Sequence, residues 1–203
     1  MTVRFAFALS ALFAQPLLAQ APVPAPAPAS DLVKVEFDTS AGRILVAVDK
    51  GRAPVTAGNF LKYVDSGRFN GESFYRAMPW MAGGLIQGGI TTDAKKLYPT
   101  IAHEPTTQTG LKHVAGTLSA ARGAPGTARA DFFILTIDIP GFDADPSLPG
   151  DNAGYAAFGQ VVEGMDVVKA IFAMPTSPTK GEGALKGQML EPVVRIKKAA
   201  RVP

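Results

Sequence analysis

The chain has 203 residues, of which 47% are hydrophobic and 18% are charged, and its formal net charge is only +3. This balance predicts one globular domain with short extensions, and the scattered lysines and arginines argue against a nucleic-acid-binding surface. Because the chain has no cysteine, disulfides, thiolate metal sites and a cysteine nucleophile are excluded.

Residues 1–19 have the pattern of a cleavable signal peptide. Arg4 supplies one positive charge before an apolar run at 5–14, and small residues lie near Ala19. The run is shorter than the roughly 20 residues of a membrane-spanning helix, and Pro16 follows it. We therefore expect cleavage after Ala19, a periplasmic protein and no stable membrane insertion; a retained N-terminal anchor is the alternative.

The next segment, residues 20–30, is an Ala/Pro-rich linker, and the folded domain is expected at 31–200. Proline alternates with small residues between 21 and 29, a composition typical of an extended, semi-rigid spacer.

Within the domain, apolar residues alternate with polar ones over many short segments. Strands at 33–37 and 43–48 should form a hairpin, and helical spacing predicts helices at 54–66 and 164–172. Further strands are predicted at 73–78, 85–87, 114–120, 132–137, 157–162 and 193–196. Many short strands with two helices and no strand–helix alternation favour a mainly β fold, a closed antiparallel barrel.

Metal and nucleotide motifs are absent from the sequence. Histidine occurs only at His103 and His113, and there is no His-Glu-x-x-His motif, phosphate-binding loop or Gly-x-Ser-x-Gly elbow. We therefore expect no metal and no cofactor. Both histidines are interpreted as loop or hydrogen-bonding residues, and the run 138–145 as a surface loop.

Three segments place polar residues among apolar ones. Strict strand alternation puts Phe74 and Arg76 on one face, so the guanidinium should stand beside apolar neighbours. A buried guanidinium needs acceptors, and Gln87 and Asp131 are the polar residues in the companion segments. The tandem Phe132-Phe133 sends one ring to each face of its strand, with Phe132 in the core.

These segments resemble, in the same order, motifs of the cyclophilin family of peptidyl-prolyl isomerases. The resemblance covers nearly all of residues 31–199. The matching motifs are Phe74-x-Arg76, Gln87-Gly88-Gly89, Gly116-x-Leu118-Ser119-x-Ala121, Phe132-Phe133-Ile134 and Phe158-Gly159-x-Val161. The resemblance implies an eight-stranded antiparallel barrel capped by two helices, and an enzyme that isomerises X–Pro bonds of proline-containing polypeptides without a cofactor. We expect a monomer.

Residue by residue, the resemblance implies that Arg76 is catalytic. Phe133 and Leu85 would be the floor and wall of a proline pocket, and Gln87 would position the arginine and touch the substrate backbone. Leu148 is a further candidate for the pocket rim. The remaining predicted substrate-binding residues are Phe74, Ala121, Arg122, Asp131 and Tyr155.

Three positions depart from the family pattern. Gly84 lies where a second pocket phenylalanine is usual, in a loop at 80–84 that is expected to be a few residues longer than normal. Trp80 or Met81 could swing in to replace that ring. Asp131 stands in place of a glutamine, close to Arg76, where it would hold the guanidinium or draw its charge from substrate. Arg122 stands in place of an asparagine.

These departures leave two alternatives to an active isomerase. One is a proline-peptide-binding chaperone or scaffold with the same barrel and slow turnover. The other is a structural envelope protein that uses the linker as a tether.

Overall fold

The computed structural model describes residues 31–203, and within them eight antiparallel strands close into a barrel. The strands are β1 Leu32–Thr39, β2 Gly42–Asp49, β3 Ser73–Trp80, β4 Gly83–Gly89, β5 Thr117–Ala120, β6 Phe132–Leu135, β7 Ala156–Glu163 and β8 Met189–Arg201. Their order around the barrel is β1-β2-β7-β5-β6-β4-β3-β8, and β8 pairs back to β1. The predicted fold is confirmed, whereas the predicted signal peptide at 1–19 and linker at 20–30 lie outside the described residues.

Three α-helices accompany the barrel in residues 31–203: α1 Pro54–Asp65, α2 Thr106–Thr109 and α3 Met165–Phe172. The sequence predicted α1 and α3. It did not predict α2, because this single turn, Thr-Thr-Gln-Thr, has no apolar spacing; it ends at Gly110 in the left-handed conformation. None of the described helices combines the length and apolar character needed to cross a bilayer.

The barrel interior is filled by aromatic and branched side chains. Phe37 stacks on Phe132 with ring centroids 5.5 Å apart, and Phe60 of α1 lies 5.0 Å from Phe158. Such pairs add about 0.5–1.5 kcal/mol each to the free energy of apolar burial. The interior is thus a packed core, and any substrate site must lie on the outside of the strands.

A distant carboxylate holds the start of α1. Glu104 is buried and accepts hydrogen bonds from the Val55 N–H at 3.1 Å and from the Thr56 N–H at 2.6 Å. The Thr56 hydroxyl also donates to it at 2.7 Å. First-turn N–H groups have no partner inside a helix, so Glu104 supplies the cap that residue 53, an alanine, does not.

The β3–β4 hairpin differs from the expected long loop. Pro79 pairs with Gly84 and Trp80 with Gly83, which leaves a turn of only two residues, 81–82. At Gly84 the φ angle is +153°, and a Cβ there would lie 1.9 Å from the Met78 carbonyl oxygen. Glycine is therefore required for the two strands to approach here. The predicted loop at 80–84 is wrong because the ladder continues through it.

Strand β3 also contains a β-bulge between Phe74 and Arg76, seen as a register shift against both β4 and β8. A bulge breaks the two-residue alternation of a strand. Phe74 therefore faces the barrel interior, while Arg76 faces outward.

Candidate active site

A cavity of about 260 Å³ lies on the outer face of β3, β4 and β6. Seven of the ten residues predicted for the site line it: Arg76, Leu85, Gln87, Ala121, Arg122, Phe133 and Tyr155. Three further lining residues are Met78, Phe142 and Leu185. The three other predicted residues, Phe74, Asp131 and Leu148, do not line it.

The floor of this cavity follows from the alternation of β6. Phe132 and Ile134 enter the barrel core, so Phe133 and Leu135 lie on the opposite face in a second, smaller apolar cluster with Leu85. Across the ladder, Phe133 is the partner of Gln87, which in turn pairs with Arg76. Strand register alone therefore brings the guanidinium, the amide and the ring together.

Phe142 supplies an aromatic wall that the sequence analysis missed. Its ring lies 5.7 Å from that of Phe133 and 4.9 Å from that of Tyr155. Residue 142 belongs to the run interpreted as a surface loop, and only its aromatic character within a polar run could have indicated that it packs against other rings. Trp80 packs 6.2 Å from Phe142 and is 47% exposed, and Met81 is 93% exposed. The suggestion that Trp80 or Met81 fills the pocket is wrong.

The Arg76 guanidinium is held by two amide oxygens. Its Nη1 donates to Gln87 Oε1 at 2.8 Å, while Nε and Nη2 donate to Gln188 Oε1 at 2.9 and 2.7 Å. Arginine has five N–H donors, so these bonds in the described part of the chain leave two for a ligand. Burial lowers the pKa of Arg76, yet an arginine remains charged at neutral pH.

Gln188 also escaped the sequence analysis. It precedes β8, and its own Nε2 donates to the Ala184 carbonyl at 2.8 Å, which fixes the amide with its oxygen toward Arg76. Gly187-Gln188 belongs to no recognisable motif. The segment is irregular, and its path depends on the tertiary fold, so the sequence alone does not indicate where Gln188 points.

Three predicted substrate-binding residues do not line this first cavity, although Asp131 lines the cavity next to it. Phe74 is fully buried in the barrel core, because the bulge in β3 turns it away from Arg76. Leu148 is 56% exposed in the turn region 145–150 and does not line the cavity. Asp131 has no bond to Arg76; its Oδ2 accepts a hydrogen bond from the Tyr75 hydroxyl at 2.9 Å.

A second cavity of about 270 Å³ shares lining residues with the first. The shared residues are Gln87, Ala121 and Arg122, and the second cavity extends past Thr127 to Asp131. Because they share these lining residues, the two cavities adjoin each other, and together they are called the cleft.

Arg122 stabilises one side of this cleft through hydrogen bonds within the protein. Its Nη1 and Nη2 donate to the two oxygens of Asp151 at 2.7 and 3.0 Å, and its Nε donates to the Gly154 carbonyl at 2.8 Å. The guanidinium carbon also lies 5.1 Å from the Tyr155 ring centroid. Its donors are therefore engaged within the protein, and it tethers the loop that carries Tyr155.

Beneath the floor, Ser119, His113 and Asp143 are joined as in a hydrolytic triad. Asp143 Oδ1 lies 2.8 Å from His113 Nδ1, and His113 Nε2 lies 2.9 Å from Ser119 Oγ. Ser119 is fully buried, however, so no substrate carbonyl can reach its hydroxyl. The His113 ring stacks 6.3 Å from Phe133, so the group supports the pocket floor. His113 is thus a hydrogen-bonding residue, and His103 bonds to the Ala153 carbonyl.

Residues 33–200 match the family model described as "Cyclophilin type peptidyl-prolyl cis-trans isomerase/CLD". The chain belongs to the cyclophilin-type peptidyl-prolyl cis-trans isomerases. It is 37% identical over 145 residues to the peptidyl-prolyl cis-trans isomerase of Acinetobacter baylyi, covering 70% of this chain and 73% of that protein. It is 38% identical over 147 residues to peptidyl-prolyl cis-trans isomerase B of Escherichia coli, covering 70% and 85%.

Solved structures agree with the cyclophilin barrel. The crystal structure of a Cryptosporidium parvum cyclophilin-type isomerase aligns with a TM-score of 0.64 at 19% identity, covering 85% of this chain and 99% of that one. A second structure of the same protein, described as in the presence of the dipeptide Ala-Pro, aligns with a TM-score of 0.64 at 20% identity, covering 84% and 99%. At such identities the likeness shows the fold.

Proposed function

We propose that this isomerase accelerates cis/trans isomerisation of X–Pro bonds in exported polypeptides, with Arg76 as its catalytic residue. The observation that carries the proposal is the placement of a charged guanidinium, with two N–H donors left over, at the edge of a cavity floored by the Phe133 ring.

The chemistry requires a donor rather than a nucleophile. Rotation about a peptide bond meets a barrier of roughly 18–20 kcal/mol, because the nitrogen lone pair is delocalised into the carbonyl. In the twisted state that lone pair is localised on the prolyl nitrogen and can accept a hydrogen bond. An Arg76 N–H directed at this nitrogen stabilises the twisted state more than the planar one, and only that difference accelerates rotation.

The apolar cavity would seat the proline ring. Phe133 and Leu85 are almost fully buried, and Phe142 and Tyr155 close the sides. A ring packed there excludes water from the guanidinium, which strengthens its interaction with the prolyl nitrogen. The residues before proline would extend through the second cavity, past Ala121 and Arg122.

The alternative of a proline-peptide-binding chaperone or scaffold with slow turnover rested on two observations, and the structure removes one of them. It depended on Asp131 drawing the charge of Arg76 away from substrate, but Asp131 bonds to Tyr75 instead. The other support, the missing aromatic ring at Gly84, is offset by Phe142, which contributes a wall of the cavity. An active enzyme is therefore the better proposal.

The test is a proline-peptide isomerisation assay on the purified protein and two arginine variants. Arg76→Ala should lower kcat/KM by about 10²-fold, the effect of removing one preorganised donor. Arg43→Ala, which removes an exposed arginine paired with Glu36 and Glu163 on the far side of the barrel, is the matched control and should retain wild-type activity. An unchanged rate in Arg76→Ala would refute the mechanism, and peptide binding without acceleration by the wild type would favour the binder.

The compartment is a separate proposal, supported by the signal-like pattern at 1–19. Uncatalysed isomerisation takes tens to hundreds of seconds and can limit the rate of folding, so a catalyst would speed the folding of exported chains. We expect fractionation of cells expressing the full chain to recover a periplasmic protein whose first residue is Gln20. An uncleaved cytoplasmic protein would contradict this.

We also propose that the isomerase acts as a monomer on proline-containing chains. In residues 31–203 each barrel strand is paired on both sides, so the barrel presents no open edge for strand pairing with a second copy. The Ala-Pro dipeptide named for the Cryptosporidium structure supports the ligand class. Sedimentation of a stable dimer would contradict the first statement.

A further inference from the structure

We propose that Tyr75 and Asp131 are positioning residues that act through Gln87 to hold the Arg76 guanidinium in one orientation. The inference rests on the proposed function, since the orientation matters for turnover only if Arg76 is the catalytic donor.

Four side chains form a continuous hydrogen-bond relay from the cleft to the loop before β6. Arg76 Nη1 donates to Gln87 Oε1 at 2.8 Å, and Gln87 Nε2 donates to the Tyr75 hydroxyl oxygen at 2.6 Å. The Tyr75 hydroxyl then donates to Asp131 Oδ2 at 2.9 Å. Arg76 and Asp131 thus occupy the two ends without touching each other.

The two ends fix the direction of the whole relay. Arginine can only donate, so the Gln87 oxygen must face Arg76 and its amide nitrogen must face Tyr75. The Tyr75 oxygen accepts from that nitrogen, which directs the hydroxyl proton to the next partner. An ionised Asp131 can only accept, so it completes the series with every donor matched to an acceptor. A neutral or donor group at this end would no longer require the Tyr75 hydroxyl to donate away from Gln87, so the amide would be oriented from the Arg76 side alone.

Burial and close packing hold the far end in place. Tyr75 is buried, and burial raises the pKa of its phenol, so the hydroxyl keeps the proton that it donates. A Cβ on Gly89 would lie 2.0 Å from Asp131 Oδ1, so the carboxylate rests directly against the backbone of β4. Glycine at this position is what admits it.

The charge state of Asp131 should control the relay. Burial raises the pKa of Asp131 and the nearby Glu72 carboxylate raises it further, while the bond from Tyr75 and the Ile90 N–H lower it. Two more cations, Arg122 and Arg129, line the cavity that Asp131 faces. Once protonated, Asp131 can itself donate to the Tyr75 oxygen, and the relay no longer has an acceptor-only end.

The first experiment compares two buried tyrosines that each lose only a hydroxyl. Tyr75→Phe should lower kcat about tenfold and change the affinity for a proline peptide by less than threefold, because the pocket floor and walls remain. Tyr63→Phe is the matched control: its buried hydroxyl accepts from the Tyr98 N–H at 2.7 Å, remote from the relay, and kcat should stay at the wild-type value. An unchanged kcat in Tyr75→Phe, or an equal loss of affinity and kcat, would overturn the proposal.

The second experiment uses the pH profile, which a purely structural role would not change. Folding raises the pKa of Asp131. As the pH is lowered, the kcat of the wild type should therefore begin to fall at a pH above the range in which aspartates ordinarily titrate. Asp131→Asn removes the titrating group and Tyr75→Phe disconnects it, so both should lack this acid limb. The double variant should lose no more activity than either single variant, because residues acting in one network are not additive. An acid limb that persists in Asp131→Asn, or losses that multiply, would overturn the relay. Full activity in Arg76→Ala would instead overturn the proposed function.

Discussion

Replacing Phe142 with alanine tests the pocket wall that sequence reasoning did not find. The ring contacts Phe133, Tyr155 and His113 at centroid distances of 5.7, 4.9 and 5.9 Å. Aromatic pairs contribute about 0.5–1.5 kcal/mol each beyond burial, so we expect the free energy of unfolding to fall by about 2 kcal/mol. Contacts in a hydrophobic pocket discriminate by about 1–3 kcal/mol. The kcat/KM for a proline peptide should therefore fall by about tenfold or more, mainly through weaker binding.

The assay pairs peptide isomerisation kinetics with denaturant unfolding of the same samples. Met81→Ala is the matched control, since it also truncates a large apolar side chain, but one that is 93% exposed and lines neither cavity. It should match the wild type in both measurements. If Phe142→Ala binds peptide as tightly as Met81→Ala does, Phe142 is not part of the proline pocket and the assignment of this cavity fails.

Three further changes test the supports of the site. Burial lowers the pKa of His113 below its ordinary value of 6.5, against the opposing effect of Asp143. The folded protein is stabilised by keeping His113 neutral, and this stabilisation is complete above pH 6.5. It is lost as the pH falls through the lowered pKa of the folded state. Unfolding midpoints should show this acid loss in the wild type and a weaker one in His113→Gln. In Glu104→Gln, an N–H group or the hydroxyl at the start of α1 would face the NH2 group of the new amide. The free energy of unfolding in urea should therefore fall by about 1–3 kcal/mol. An unchanged urea midpoint would contradict the role of Glu104 as the cap of α1. Gly84→Ala should lower the thermal midpoint, because its Cβ would meet a carbonyl oxygen at 1.9 Å, and equal midpoints would contradict the strained approach.

The barrel could be predicted because its signals are local and regular. Alternation in 33–37 and helical spacing in 54–66 report directly on which face of each element is buried, and the apolar run at 44–48 marks a strand that is buried on both faces. The tandem Phe132-Phe133 was placed correctly for the same reason: a period of two leaves one ring in the core and the other outside.

The same rule failed at β3, where it placed Phe74 beside Arg76. A bulge intervenes at Tyr75, and neither a glycine nor a polar residue there marks it in the sequence. The error also concealed the role of Tyr75, whose hydroxyl lies between Gln87 and Asp131.

Phe142 and Gln188 were missed for a different reason. Phe142 ends a three-residue 3₁₀ turn, Pro140–Phe142, and Gln188 lies between elements; neither segment is long enough for a periodicity to relate residue type to direction. Gln188 reaches Arg76 across 112 positions of sequence, and only the closed barrel brings the start of β8 beside β3. Residues of this kind become visible only when the path of the chain is known.

Adjacent positions of β6 should respond differently to mutation. Phe132 belongs to the core cluster and Phe133 to the outer one, although a single peptide bond joins them. A library randomised at 132 should therefore change mainly how much protein survives in the cell, whereas one randomised at 133 should change the isomerisation rate as well. An evolving enzyme could change the ring at 133 while Phe132 continues to hold the strand against the core.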